Sequence, residues 1–200
     1  TMKRLHPIRA AVLASVTFFF IASLQAAEPL RATHKSAVAD VDTRQAELNE
    51  VNKKIWEFAE VGLEEVRSSA LLVEKAKAAG FKVRVGVADM PTAFVAEFGS
   101  GKPVIGILAE YDALPGLSQK VSHERDPVVA DAPGHGCGHS GLGTAALGAA
   151  IAVKAAMEKH KLPGTIRLYG TPAEETLIGK VYMTLAGEFN DLDACLHWHP

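Results

Sequence analysis

The chain has little cysteine, little aromatic character and little net charge. Cys137 and Cys195 are its two cysteines in 200 residues. Two cysteines cannot make the disulfide framework of a small stapled domain, so the fold must rest on an apolar core. Aromatic residues make up 6% of the chain and the formal charge is −2. Acids and bases are interspersed. There is no basic stripe and no interleaving of aromatic with basic residues, so the expectation is no nucleic-acid partner. An acidic tail, an internal repeat and a low-complexity linker are also missing from the pattern. With 48% hydrophobic residues, a chain of this length suits one domain with a substantial core.

What is there begins with a leader. Lys3, Arg4 and Arg9 precede or enter the apolar run "AAVLASVTFFFIASL", and "QAAE" supplies small residues near Ala26 and Ala27. This is the layout of a cleaved secretory signal over residues 1–27. The run is short for a membrane span of about 20 apolar residues. The expectation is an exported protein, periplasmic or secreted, with no stable membrane span once the leader is removed. Thr1, ahead of Met2, reads as an addition before the true start.

After the leader, residues 28–40 read as a loose lead-in. Val41, Leu48, Val51, Ile55, Phe58 and Ala59 recur at helical spacing. "EVRSSALLVEKAKAAGF" predicts a second helix closed by Gly80. "KVRVGV" alternates as a strand does. "TAFVAEFGSGKPVIGILAEYDALPG" reads as a strand, a turn and a buried strand. Its "GSGKP" lacks the spacing of a phosphate loop and reads as a hairpin turn. Residues 116–133 form a polar loop of a length that usually carries function. A helix over 139–160, a strand "TIRLYG", a short helix "GKVYMTLAGEF" and a last strand "DACLHWH" complete the order. Cys195 in that last strand reads as a buried small hydrophobe.

This order predicts an α/β fold, with helices covering a largely parallel or mixed sheet. Ligands of such sheets gather at the carboxyl ends of strands. Glu110 and Asp112, Glu174 and Glu175, and His197 and His199 all fall at such ends. Between them lies "GHGCGH", where glycine alternates with His135, Cys137 and His139. His, Cys, Glu and Asp are the ligand set of zinc and related divalent ions. Glycines 134, 136 and 138 let the backbone turn tightly and leave space around an ion. Paired glutamates can divide the work, one as a ligand and one as a proton acceptor, which is the machinery for hydrolysing an amide. Glu64 and Glu65 read as solvated helix surface. A thiol nucleophile at Cys137 with a nearby histidine is a remoter reading.

The motifs "GILAEYDALPG", "GHGCGHSGLGTAALGAA", "GTPAEE" with "GKVYM", and "LHWHP" stand in this order over roughly residues 45–200. Together they resemble the metal-dependent amidohydrolases related to aminoacylase and carboxypeptidase G. Within these, the chain looks most like the p-aminobenzoyl-glutamate hydrolase branch, with hippurate and auxin-conjugate hydrolases as relatives. The resemblance implies a zinc-peptidase-like three-layer catalytic domain with a mixed, mostly parallel sheet. Residues 28–200 would be its N-terminal part, truncated before a lid or dimerisation domain and the C-terminal remainder. It implies two divalent ions per site, zinc or manganese, with Cys137, His139, Glu175 and His197 as ligands. Glu174 would be the general base. Asp112 would orient a ligand histidine from behind, with Glu110 a weaker candidate for the same part. His199 falls where relatives often carry another residue, and His135 would shape the loop. Many relatives have an acid where this chain has Ser140. The expected substrate is a small amide: an N-acyl or N-aroyl amino acid, a p-aminobenzoyl-glutamate-like conjugate or a dipeptide. The full-length protein would be a homodimer. A non-catalytic metal-binding fragment or decayed relative is the alternative.

Overall fold

The computed structural model describes residues 32–200, so the leader expected over 1–27 lies outside the described residues. The chain enters through a helix over residues 32–43, α1, where the sequence suggested a loose lead-in. Arg44 breaks the helix and bonds back to Asp40 at 2.6 Å. Helix α2 follows over Gln45–Phe58 and α3 over Val66–Ala78. Gly80 at φ +87° closes α3, with the Phe81 N–H donating to Ala76 O, the hydrogen-bond pattern of a glycine-terminated helix. Then come β1 (Lys82–Val85), β2 (Phe94–Ser100), β3 (Val104–Ala109), α4 (His139–His160), β4 (Gly164–Gly170), α5 (Gly179–Leu185) and β5 (Ala194–Leu196).

The strands form one mixed sheet in the order β1-β2-β4-β3-β5. β1 and β2 are antiparallel, as are β2 and β4. β3 runs parallel to both β4 and β5. The "GSGKP" turn is therefore not a hairpin. Strand β4 inserts between β2 and β3, pairing Phe98 with Ile166 on one side and Ile105 with the same Ile166 on the other. The reason is the β3–α4–β4 crossover, which returns the chain beside β3 and occupies the edge that a hairpin would have used.

Side chains alternate between two cores. On one face Phe94, Ala96, Ile107, Ala109, Ile166 and Leu168 meet α2, α3 and α4. On the other, Val95 and Tyr169 meet Val87, Met90 and Met183 of α5. This makes three layers: helices, sheet, and a thinner cover. Among the described residues α4 is the one helix long and apolar enough to cross a membrane, but 61% of that stretch is buried. It is the central helix of the core. β5 is an edge strand, and all three of its residues are exposed. Cys195 is therefore exposed rather than buried as its apolar neighbourhood suggested, because among the described residues no further strand pairs with that edge.

Candidate active site

Topology brings the polar residues together. β4, β3 and β5 are adjacent and parallel, so their carboxyl ends open on one edge of the sheet. β3 delivers Glu110 and Asp112, β4 delivers Glu174 and Glu175, and β5 delivers His197 and His199. Helix α4 starts at that same edge with His139. Thr171 staples the two central strands there, its N–H and its hydroxyl both donating to Ala109 O at 2.9 and 3.0 Å.

His139 is fully buried at the centre of the cluster, with Glu110 and Asp112 equally buried beside it. Its Nδ1 lies 2.9 Å from Asp112 Oδ1 and 3.1 Å from the Asp112 carbonyl. A proton on Nδ1 donated to that carboxylate leaves the Nε2 lone pair free. Nε2 has no hydrogen-bond partner. Around it stand Glu110 Oε2 at 3.5 Å, Glu174 Oε2 at 3.7 Å and Glu175 Oε1 at 3.9 Å. Glu110 Oε2 and Glu175 Oε1 are likewise buried without a partner. Asp112 Oδ2 accepts the Glu175 N–H at 2.9 Å, so one carboxylate holds both the imidazole and the turn that bears the glutamates.

The electrostatics agree with the geometry. Burial, together with Glu175, Glu174 and Glu110, pushes the Cys137 thiol up. That opposes a free thiolate nucleophile. Burial raises the Glu175 carboxyl, and the charges of Asp112 and Glu174 add to it against the pull of His139. Burial lowers the pKa of His139, but the Asp112 hydrogen bond and the surrounding carboxylates outweigh it and the net shift is upward. Three carboxylates, one thiol and an unpartnered imidazole nitrogen facing one another are the donor set that a divalent cation relieves. Among the described residues two donor groups stand close enough to hold an ion, Cys137 with His139 and His199, and Glu110 with His139 and Glu174. The residues present therefore fit a metal.

The arrangement sorts the expected site residues. Cys137, His139, Asp112, Glu174 and Glu175 converge. His199 Nε2 lies 3.3 Å from Cys137 Sγ and makes the third donor of that group. His197, which the resemblance implies as a metal ligand, has its Nε2 3.2 Å from Glu110 Oε1, a residue of the second donor group. His135 turns away from the cluster, its Nε2 2.9 Å from Ile55 O, and so ties the glycine loop to α2. Only Gly138 of the loop glycines has positive φ, +81°. A Cβ at Gly134 would lie 2.0 Å from Leu117 O, so that glycine makes room for the neighbouring loop strand rather than for an ion. Lys180, quoted in a motif but given no role, forms a direct ion pair with Glu110 and lies 3.9 Å from Glu174 Oε1. Nothing in its spacing announces this, because the contact joins the start of α5 to the end of β3.

Comparison with known proteins agrees with this construction. Residues 106–200 match the model of peptidase family M20/M25/M40. One of the subunits of p-aminobenzoyl-glutamate hydrolase from Escherichia coli is 45% identical over 161 residues, covering 80% of this chain and 34% of its own length. A mouse Xaa-Arg dipeptidase is 30% identical over 187 residues, covering 87% of this chain and 39% of its own. The crystal structure of the Bacillus subtilis YXEP protein, described as a dinuclear metal-binding peptidase of family M20, shares the fold with a TM-score of 0.67 at 24% identity, over 79% of this chain and 43% of that one. The match to peptidase family M20/M25/M40 spans residues 106–200, just under half of the chain, and the relatives that match more of it are by name a hydrolase and a dipeptidase. The chain spans about a third of the length of the curated relatives it matches.

Proposed function

We propose that the protein is an exported metal-dependent amide hydrolase, with residues 28–200 the N-terminal part of its catalytic domain. Its substrates would be N-acyl or N-aroyl amino acids, with p-aminobenzoyl-glutamate-like conjugates first and dipeptides second. The names of the relatives support that choice, as the leader pattern supports export. The observation that carries the reading is the set of buried, unpartnered atoms aimed at one point: His139 Nε2, Glu110 Oε2 and Glu175 Oε1. Leaving three such atoms unsatisfied costs several kcal/mol in total, at about 1–3 kcal/mol each, unless a cation meets them.

Cys137, His139 and Glu175 would hold the ions, with His199 beside Cys137 and His197 from the same strand end. Zinc or manganese, two per site, suits these ligands. When bound, such ions polarise a carbonyl and ease the removal of a proton from water. Asp112 keeps the His139 Nδ1 proton, so that Nε2 stays a lone-pair donor. Of the two partly exposed glutamates, Glu174 lies slightly nearer His139 Nε2, at 3.7 Å against 3.9 Å for Glu175. Its carboxylate accepts the proton of the attacking water and returns it to the leaving nitrogen, so one water is consumed and one acid and one amine result. In the full-length protein, which we propose to be a homodimer, Glu174→Gln should lower kcat by about 10²–10⁴-fold while metal content by elemental analysis is unchanged. Undiminished turnover would remove Glu174 from this role.

A further inference from the structure

The acidic turn is held from behind by a carboxylate that the chemistry does not use. Glu65 stands just before α3, and its neighbour Glu64 in the same lead-in is exposed. Glu65 is completely buried. Its Oε1 accepts the backbone N–H of Ala173 at 2.7 Å, and its Oε2 accepts the Thr92 hydroxyl at 3.1 Å. The Thr92 carbonyl in turn accepts the hydroxyls of Ser69 and Tyr111, each at 2.7 Å. Ala173 is itself fully buried and adopts a left-handed conformation, φ 55° and ψ 44°, immediately before Glu174 and Glu175. A non-glycine residue holds that conformation only where its surroundings fix it.

Two buried carboxylates thus suspend one turn: Glu65 takes the N–H of Ala173 and Asp112 takes the N–H of Glu175. Gly62 presses on the same turn, since a Cβ there would lie 3.0 Å from Ala173 Cα. We infer that Glu65 is a positioning residue for catalysis, fixing the backbone twist that aims Glu174 and Glu175 at His139. This rests on the hydrolase reading above. The charge is not needed for the role, only an acceptor at the Oε1 position, and the burial that raises the Glu65 carboxyl is consistent with that.

The test uses the full-length protein in four variants, read by kcat and KM on an aroyl-glutamate amide, by zinc affinity from calorimetric titration, and by thermal midpoint. Glu65→Met fills the space without an acceptor and should lower both kcat and zinc affinity about tenfold or more, with KM within about twofold. Glu65→Gln keeps an acceptor for Ala173 and should restore both to within about threefold of the parent. Ser69→Ala removes a bond in the same buried nest that does not reach the turn. It should lower the midpoint and leave kcat and zinc affinity alone. If Glu65→Met does not fold, Gly62→Ala pushes the turn from its other side and should lower kcat and zinc affinity in the same direction. Glu65→Met with kcat and zinc affinity unchanged overturns the inference, and so does Glu65→Gln failing as badly as Glu65→Met. A parent that binds zinc and cleaves no amide defeats the hydrolase reading alone, because the zinc affinities still report whether Glu65 sets the turn.

Discussion

The candidate site has two halves of opposite character. One half is supplied by the central strands and α4: Glu110, Asp112 and His139 are buried, and Asp112 bonds both His139 and the Glu175 backbone. The other half comes from the edge strand β5, where every residue from Asp193 to Pro200 is exposed. Its histidines touch the site only through their own rings, His199 at Cys137 and His197 at Glu110. The same ligand chemistry is locked on one side by packing and carried on the other by a strand paired along a single edge. Pre-organisation comes from the buried half.

The contrast should break most visibly in stability. Leu168 sits at the centre of β4, fully buried, between Ala96 of β2 and Ile107 of β3. Leu168→Ala should cost about 2–5 kcal/mol in urea unfolding, whereas Leu196→Ala on β5 should stay within about 0.5 kcal/mol. Equal losses would mean that β5 is not the loose half.

A smaller effect separates the two exposed histidines. His199→Ala should weaken metal binding about tenfold, and His197→Ala less, with the thermal midpoint of the metal-free protein unmoved in both. The reverse order, read by competitive titration with a chromogenic chelator, would make His197 the stronger ligand of the two.

The smallest effect sharpens the buried half. Glu60 lies behind it: its carbonyl accepts the Ala113 N–H, and its carboxylate accepts the N–H groups of Arg67 and Ser68 at 3.0 and 2.8 Å. Burial opposes its ionisation, but those hydrogen bonds outweigh burial and hold its carboxyl below the usual value. A depressed folded pKa gives stability that is present above the unfolded value, about 4.3, and is lost as pH falls through the folded one. Glu60→Gln should therefore cost about 1 kcal/mol at pH 7, and the difference from the parent should vanish in strong acid. A difference that persists at pH 2 would mean that the bonds, not the charge, carry it.

Much of the fold was legible because it is local. Helix α4 begins and ends where its small apolar run does, and the strands "VIGILA" and "TIRLYG" carry their own patterns. The site candidates were legible because His, Cys and Glu beside glycine at strand ends are unusual. What was not legible is what arrives from afar. "GSGKP" looks like a hairpin turn until β4 takes the place between its two strands. Glu65 looks solvated until Ala173, 108 residues later, lays its N–H on it. Residues 32–40 read as a loose lead-in because their apolar pattern is weak, yet they are helical, with a break at Arg44 before α2.

By itself, then, the sequence determined the α/β order of elements, the family resemblance and the chemical types present, since each depends on neighbours within one helix or strand. Tertiary structure alone decided which donors meet. His199 rather than His197 stands beside Cys137, Lys180 pairs with Glu110, and Glu65 lies under the acidic turn. These depend on sheet order and on which faces pack together, and no local pattern encodes the distance between residues a hundred positions apart.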